Sequence, residues 1–325
     1  MIAYLLRRLF YAIPILIGVN LLTFVLFFVV NSPDDMARMQ LGDKRVTTAA
    51  IQNWKQAHGY DLPLLYNAGA CGLEQLTKTI FFEKSLRLVV FQFGSSDDGR
   101  NIGEDIRQRM WPSLAIALPV LVIGLACNLS AALFIVLFRA TVVDVWSLVL
   151  LVAMLSISGL FYIIGGQFVF GKLLHLMPIS GYDAGFNAWK FLILPVLVGI
   201  ISGFGAGTRW YRALFLEEMT KDYVRTAYAK GLSETRVLFW HVLGNALIPI
   251  LTGVVVILPL LFMGSLITES FFGIPGLGSY TIDAISNQDF AIVRSMVFLG
   301  AVLYIFGLIL TDLSYTLVDP RVRLQ

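Results

Sequence analysis

A segment that crosses lipid must satisfy every backbone N–H and C=O from within the protein, so long apolar runs restrict a chain more than any short motif does. Six runs here reach the length of about 20 residues that a helical span needs. They lie at about 9–30, 113–138, 146–170, 189–208, 246–269 and 292–317. Trp111, Trp146, Trp189 and Trp210 fall near their ends, where amphipathic rings favour the membrane–water boundary. The chain is 58% hydrophobic and 14% charged, against about 25% charged in soluble domains. The expected fold class is therefore an all-α membrane protein with six transmembrane helices. The first run follows Arg7 and Arg8, exceeds a signal-peptide h-region and lacks a small-x-small cleavage site, so it reads as a retained span.

Basic residues in short connections set the orientation. Arg7, Arg8, Arg139, Arg209, Arg212, Lys221, Arg225, Lys230, Arg236, Arg321 and Arg323 fall on one side, and only Lys172 and Lys190 fall in the two short loops opposite. Both termini and the segment after the fourth run are thus expected to be cytoplasmic. The loop of 31–112 is then extracytoplasmic. Turn signals such as Ser32-Pro33, Gly59, Gly94 and Gly99, with the apolar run Leu86 to Phe93, predict a small folded cap of mixed structure. The chain divides into 1–30 (first span), 31–112 (cap) and 113–325 (core with a cytoplasmic segment at 209–245).

That cytoplasmic segment carries the most patterned polar surface in the sequence. Apolar residues Leu214, Phe215, Met219, Tyr223 and Ala227 recur at three- or four-residue spacing, which predicts one helix from Arg212 to Lys230. Glu217 precedes Lys221 by four, the favourable order for a helical ion pair. Gly231 is placed to stop the helix, and Ser233 to cap a second one running from about Glu234 towards Asn245. Ala227 and Gly231, four apart, predict a face nearly bare of side chains. Periodicity alone fits an amphipathic helix lying on the membrane surface equally well.

The residues Arg225, Thr226, Ala227, Ala229, Lys230, Gly231 and Leu232, followed by His241 to Pro249, resemble the coupling segment of ABC-importer permeases in the dipeptide/oligopeptide branch. A second signature runs Glu269-Ser-Phe-Phe-Gly-Ile-Pro-Gly-Leu-Gly278, and a third is the tail from Val318 to Arg323. The resemblance implies a helix that docks on an ATP-hydrolysing subunit through Asp222, Tyr223, Arg225, Thr226, Ala227, Lys230 and Gly231. It implies two ATP-binding partners that hold ATP and magnesium, a second permease subunit, a periplasmic substrate-binding protein, and residence in the bacterial inner membrane. The implied cargo is di- or oligopeptides, moved by alternating access, with nickel or another small solute carried by the same branch. Gly244 and Gln288 stand where the family commonly has a basic residue.

Candidates for the path or its gate are Glu269, Phe271, Pro275, Gly276 and Gly278, with Asn128 and Ser156 inside spans, where polar groups face protein or water. Asn128 has helix–helix adhesion as its plainer role. Ser156, Ser158 and Gly159 suggest tight packing within the third span, and Gly203 to Gly207 a flexible approach to the cytoplasmic segment. Cys127 reads as a small core residue. No phosphate-cradling G-x-x-x-x-G-K-[ST], H-E-x-x-H or G-x-S-x-G sequence occurs, and the three histidines are far apart. No catalytic residue, metal site or cofactor is therefore assigned to this chain, and no basic block suggests nucleic acid. A stand-alone secondary transporter would need acids and interrupted helices in paired halves. A passive scaffold would leave the polar segment as a mere surface helix.

Overall fold

The computed structural model describes residues 2–42, 47–183, 185 and 187–318, excluding the side chains of 2–6, 9 and 315–318. Expectations resting on Arg321, Arg323 and most of the tail signature fall outside the described residues. Among the described residues, secondary structure is helical, apart from one antiparallel bridge between Ser95 and Asn101. Among them five helices are long and apolar enough to cross a membrane, and a bent pair, counted as one span, makes six. The spans are Phe10–Val30, Ile102–Leu137, Val142–Ser156 with Gly159–Leu173, Ala188–Glu218, Glu234–Met263 and Phe290–Ser314. Trp111, Trp146, Trp189 and Trp210 are all exposed, as interfacial rings should be. Cys127 is exposed too, so it is a surface residue of its span and not the core residue expected.

Two compact units divide the chain differently from the three segments read from the sequence. One holds residues 1–109 and 280–309, and the other 110–279 and 310–323. In the first unit Phe24, Phe28, Met36, Tyr60 and Ile80 form a buried cluster, with Trp54, Phe81 and Phe290 against it. The first span is thereby tied to the segment after it and to the start of the sixth span. That segment is built of short helices more than the mixed structure expected. Ser32-Pro33, read as a turn, starts a helix: Ser32 and Asp35 cap each other reciprocally and Pro33 occupies the first turn. A polar chain locks the unit: Trp54 Nε1 donates to Gln40 (2.6 Å), Gln40 donates to Asp97, and the Asp97 N–H donates to Asp289 (2.9 Å). Asp289 also accepts from Ile292 N–H and so caps the sixth span.

In the second unit the third span is bent by 88°. Ile157 and Ser158 are extended, and Ser156 to Gly159, expected as a packing surface, are the break. Freed backbone groups find partners locally: the Tyr162 hydroxyl donates to the Met154 carbonyl at 2.9 Å. Such repair is the condition for interrupting a helix at membrane depth. The fifth span begins at Glu234 and ends at Met263, so Glu269 lies in a separate short helix, Leu266–Phe272, and not at a span end.

Of the glycines that suggested flexibility, Gly205 and Gly207 are packing notches inside the unbroken helix Ala188–Glu218, and Gly203 faces open space. A Cβ on Gly205 would stand 2.8 Å from the Leu151 carbonyl and 3.1 Å from Met154 Cβ, and one on Gly199 2.8 Å from Val120. One on Gly207 would collide with the Asn128 side chain. The Asn128 amide oxygen accepts from Thr208 Oγ1 at 3.1 Å, so Asn128 joins the second and fourth spans. The third span is held to the fourth by Arg212, whose Nε and Nη2 both donate to Asp144 Oδ1 at 3.1 and 2.7 Å.

Substitutions test two of these contacts. Gly205→Val should destabilise by about 1–3 kcal/mol through overpacking, whereas Gly203→Val, with nothing within 4 Å, should not. Asp144→Asn should cost about 3–5 kcal/mol by stranding a mostly buried guanidinium. Melting of the detergent-solubilised protein would measure both.

Candidate functional site

The polar segment is not one helix. Ala188–Glu218 ends, Met219 to Lys221 turn, and a second helix runs Asp222–Ala229. The break has a cause in side-chain pairing. Lys221 bonds Glu218, one residue after the expected Glu217, and Tyr223 Oη donates to the other Glu218 oxygen at 2.6 Å. Glu218 is thus a buried acceptor shared by the residues on both sides of the turn. Burial, then the hydrogen bond to Glu218, pushes the Tyr223 hydroxyl well above the ordinary tyrosine range, so it stays protonated and donating.

Helix Asp222–Ala229 lies with one face inward. Val224 and Ala227 are 1% and 5% exposed and belong to a cluster with Ala132, Leu133, Val136, Phe215, Val237, Leu238 and Val242. Those partners come from the second, fourth and fifth spans, so a short helix rests on the ends of three long ones. Arg139 adds a polar tie from the loop after the second span, pairing with Glu234 at 3.2 Å and donating to Met219 Sδ. The opposite face is open: Asp222, Arg225, Thr226, Tyr228, Ala229 and Lys230 are all exposed. Arg225 and Asp222 form a loose, solvated pair at 3.6 Å. Gly231, at φ +75°, is the left-handed stop after the helix. Ala227 and Gly231 therefore do not share one bare outer face, because Ala227 is turned into the protein.

The candidates around Glu269 come together, with a different geometry from an exposed acid. Glu269 is 1% exposed. Its Oε2 accepts from Gly278 N–H (2.7 Å) and Ser279 N–H (3.1 Å), and its Oε1 from Ser265 N–H (3.1 Å). Ser113, from the second span, bonds the same carboxyl group and accepts from Leu277 N–H at 2.8 Å. A Cβ on Gly264 or Gly276 would run into the carboxylate, so both glycines are required by its position. Pro275, Gly276 and Gly278 thus form a turn buckled closed by Glu269. Phe271 is exposed on the same short helix, and its carbonyl accepts from Gln167 at 3.0 Å. Beside this buckle lies a cavity of about 400 Å³ lined by Ile116, Val120, Pro195, Ile257, Leu261 and Thr268 among others. Ser156 sits apart from it at the break, exposed, its hydroxyl donating to the Val152 carbonyl. Sequence reasoning missed Ser113 and Glu218: Ser113 is a single polar residue beside an apolar run, Glu218 is one of two adjacent acids, and only folding shows what each bonds.

Comparison with known proteins follows the same outline. The pattern described as "Binding-protein-dependent transport system inner membrane component" matches residues 109–324, and that of its N-terminal part matches residues 1–77. The chain is 30% identical to the di/tripeptide transport system permease protein DppB of Pseudomonas aeruginosa, over all of both chains. It is 27% identical to the oligopeptide transport system permease protein AppB of Bacillus subtilis, over 99% of this chain and 100% of that one. It is 29% identical to the glutathione transport system permease protein GsiC of Shigella flexneri, over 99% of each. With the match covering most of the chain and the relatives aligned from end to end, this protein belongs to the family of binding-protein-dependent transport system inner membrane components.

Proposed function

We propose that this chain is one permease subunit of an ATP-driven importer of di- or oligopeptides, and that helix Asp222–Ala229 is its contact with an ATP-hydrolysing partner. One observation carries the contact. The helix has spent its apolar side, Val224 and Ala227, on its own protein, and presents Arg225, Thr226, Tyr228 and Lys230 outward. A helix lying on lipid would need that apolar side for the bilayer. A polar, structurally fixed outer face suits a protein groove.

The mechanism follows from what the helix rests on. Force applied to it reaches the second, fourth and fifth spans together through Val136, Phe215, Val237 and Leu238. Closure of two ATPase subunits would move that ridge and rock the spans between inward- and outward-open arrangements. ATP and magnesium would be held by those subunits; what this chain supplies is the lever. A second permease would complete the path, and a periplasmic binding protein would deliver the peptide from the side opposite the helix. The basic residues around the helix, Arg209 to Arg236, favour the cytoplasmic side for it. Peptide cargo is supported by what the relatives transport, di- and tripeptides, oligopeptides and glutathione; uptake assays with peptide and with nickel would separate the two cargoes.

Gly231→Trp is an ambiguous test, because φ +75° strains any side chain there. Ala229→Trp is clean: the position is exposed, within the helix, and outside the buried cluster. In the assembled transporter it should cut ATP-dependent peptide uptake about tenfold, the effect of a docking loss near 1.4 kcal/mol. Melting of the isolated chain should be unaffected. Unchanged uptake would remove the docking role.

A further inference from the structure

The first unit buries a cation that the import mechanism does not use. Arg294 stands one turn inside the sixth span, 3% exposed, yet no carboxylate of the described residues lies within ion-pair distance of it. Its Nε is buried without a hydrogen-bond partner. The ring of Phe28 lies 5.1 Å from the guanidinium carbon, and Tyr60 and then Asp289 act on the charge electrostatically without a hydrogen bond or ion pair to it. A buried guanidinium in that condition costs several kcal/mol unless something compensates it.

Arg294 borders a cavity of about 260 Å³ that is also lined by Lys84, Arg87 and Glu83. Arg87 and Glu83 neutralise each other at 2.8 Å, so Lys84 and Arg294 remain as like charges on one small space. Burial, then the charge of Arg294, pushes the Lys84 ammonium below its ordinary value, although Glu83 and Asp97 oppose the shift. Between the lining residues Arg87 and Gln92 the chain carries Val89, Val90 and Phe91, which are 39%, 70% and 56% exposed. An apolar rim beside a cationic recess, at the head of a membrane span, is the arrangement that a phospholipid meets with chains and headgroup at once.

We propose that the cavity between Arg294, Lys84 and Arg87 binds the phosphate group of an anionic phospholipid. The phosphate oxygens accept from Arg294 Nε–H and from the Lys84 ammonium, and the acyl chains lie along Val89, Val90 and Phe91. The same recess could take a free phosphate ion by its charge alone; the apolar rim favours the lipid.

The test uses the full chain in bilayer discs of phosphatidylcholine doped with phosphatidylglycerol, followed by native mass spectrometry of the retained lipid. The intact protein should retain phosphatidylglycerol over phosphatidylcholine. Lys84→Gln with Arg87→Gln, at a partly exposed and an exposed position, should fold and lower that preference at least about fivefold, the loss expected for one interfacial cation without an ion-pair partner. Arg294→Gln should abolish it; should that variant fail to fold, the double variant decides alone. Inorganic phosphate should not displace the lipid. Displacement by phosphate would reassign the recess to a free ion and overturn the lipid proposal, and so would an unchanged preference in the double variant.

Discussion

Backbone hydrogen bonding in a medium without water governs this protein. Each peptide group left unpaired in hydrocarbon costs several kcal/mol, so the chain is helical wherever it crosses and departs from the helix only where a side chain or another backbone group repairs the loss. The bend at Ile157 and Ser158 is accompanied by a hydroxyl from Tyr162. The turn after the short helix Leu266–Phe272 is possible because one carboxylate, Glu269, takes three N–H groups and Ser113 takes a fourth.

Helix Asp222–Ala229, proposed above as the coupling contact, is firmly mounted for a lever. A lever must be stiff relative to what it moves. Val224 and Ala227 sit in a fully packed cluster, so the helix cannot slide without moving the ends of three spans. At its start, Lys221 and Tyr223 are both anchored on Glu218, which fixes the corner at which the fourth span hands over to the lever. At its end Gly231 terminates it in a left-handed turn. Packing below and pinning at both ends leave the outer face as the surface free to be recognised.

The spans were legible in the sequence because burial in lipid demands an uninterrupted apolar run, and nothing else in a chain this long imitates it. Their ends were less so. The fifth span begins at Glu234, twelve residues before the apolar run becomes unbroken, because Arg236, His241 and Asn245 are tolerated where a helix emerges beside its own neighbours. The 88° break was hidden because Ser, Ile and Gly are as common in tightly packed helices as in broken ones. The choice of Glu218 over Glu217 as the partner of Lys221 was hidden for a related reason: the spacing rule assumes a continuous helix, and the turn at Met219 to Lys221 removes it. The cationic recess at Arg294 was invisible, since its members are more than two hundred residues apart.

Glu269 shows how a correct location can carry an incomplete role. An acid beside an apolar run is expensive, and expense marks a residue as used for something. What it is used for depends on its partners. Four donors from three chain segments already surround this carboxylate. An acid so occupied has little capacity left to hold cargo, and its removal would strand buried N–H groups and release the Pro275–Gly278 turn. The side of the neighbouring cavity contributed by Ile116, Val120, Ile257 and Leu261 is apolar, which suits peptides of varied side chain. Glu269 therefore holds the shape of the cavity wall.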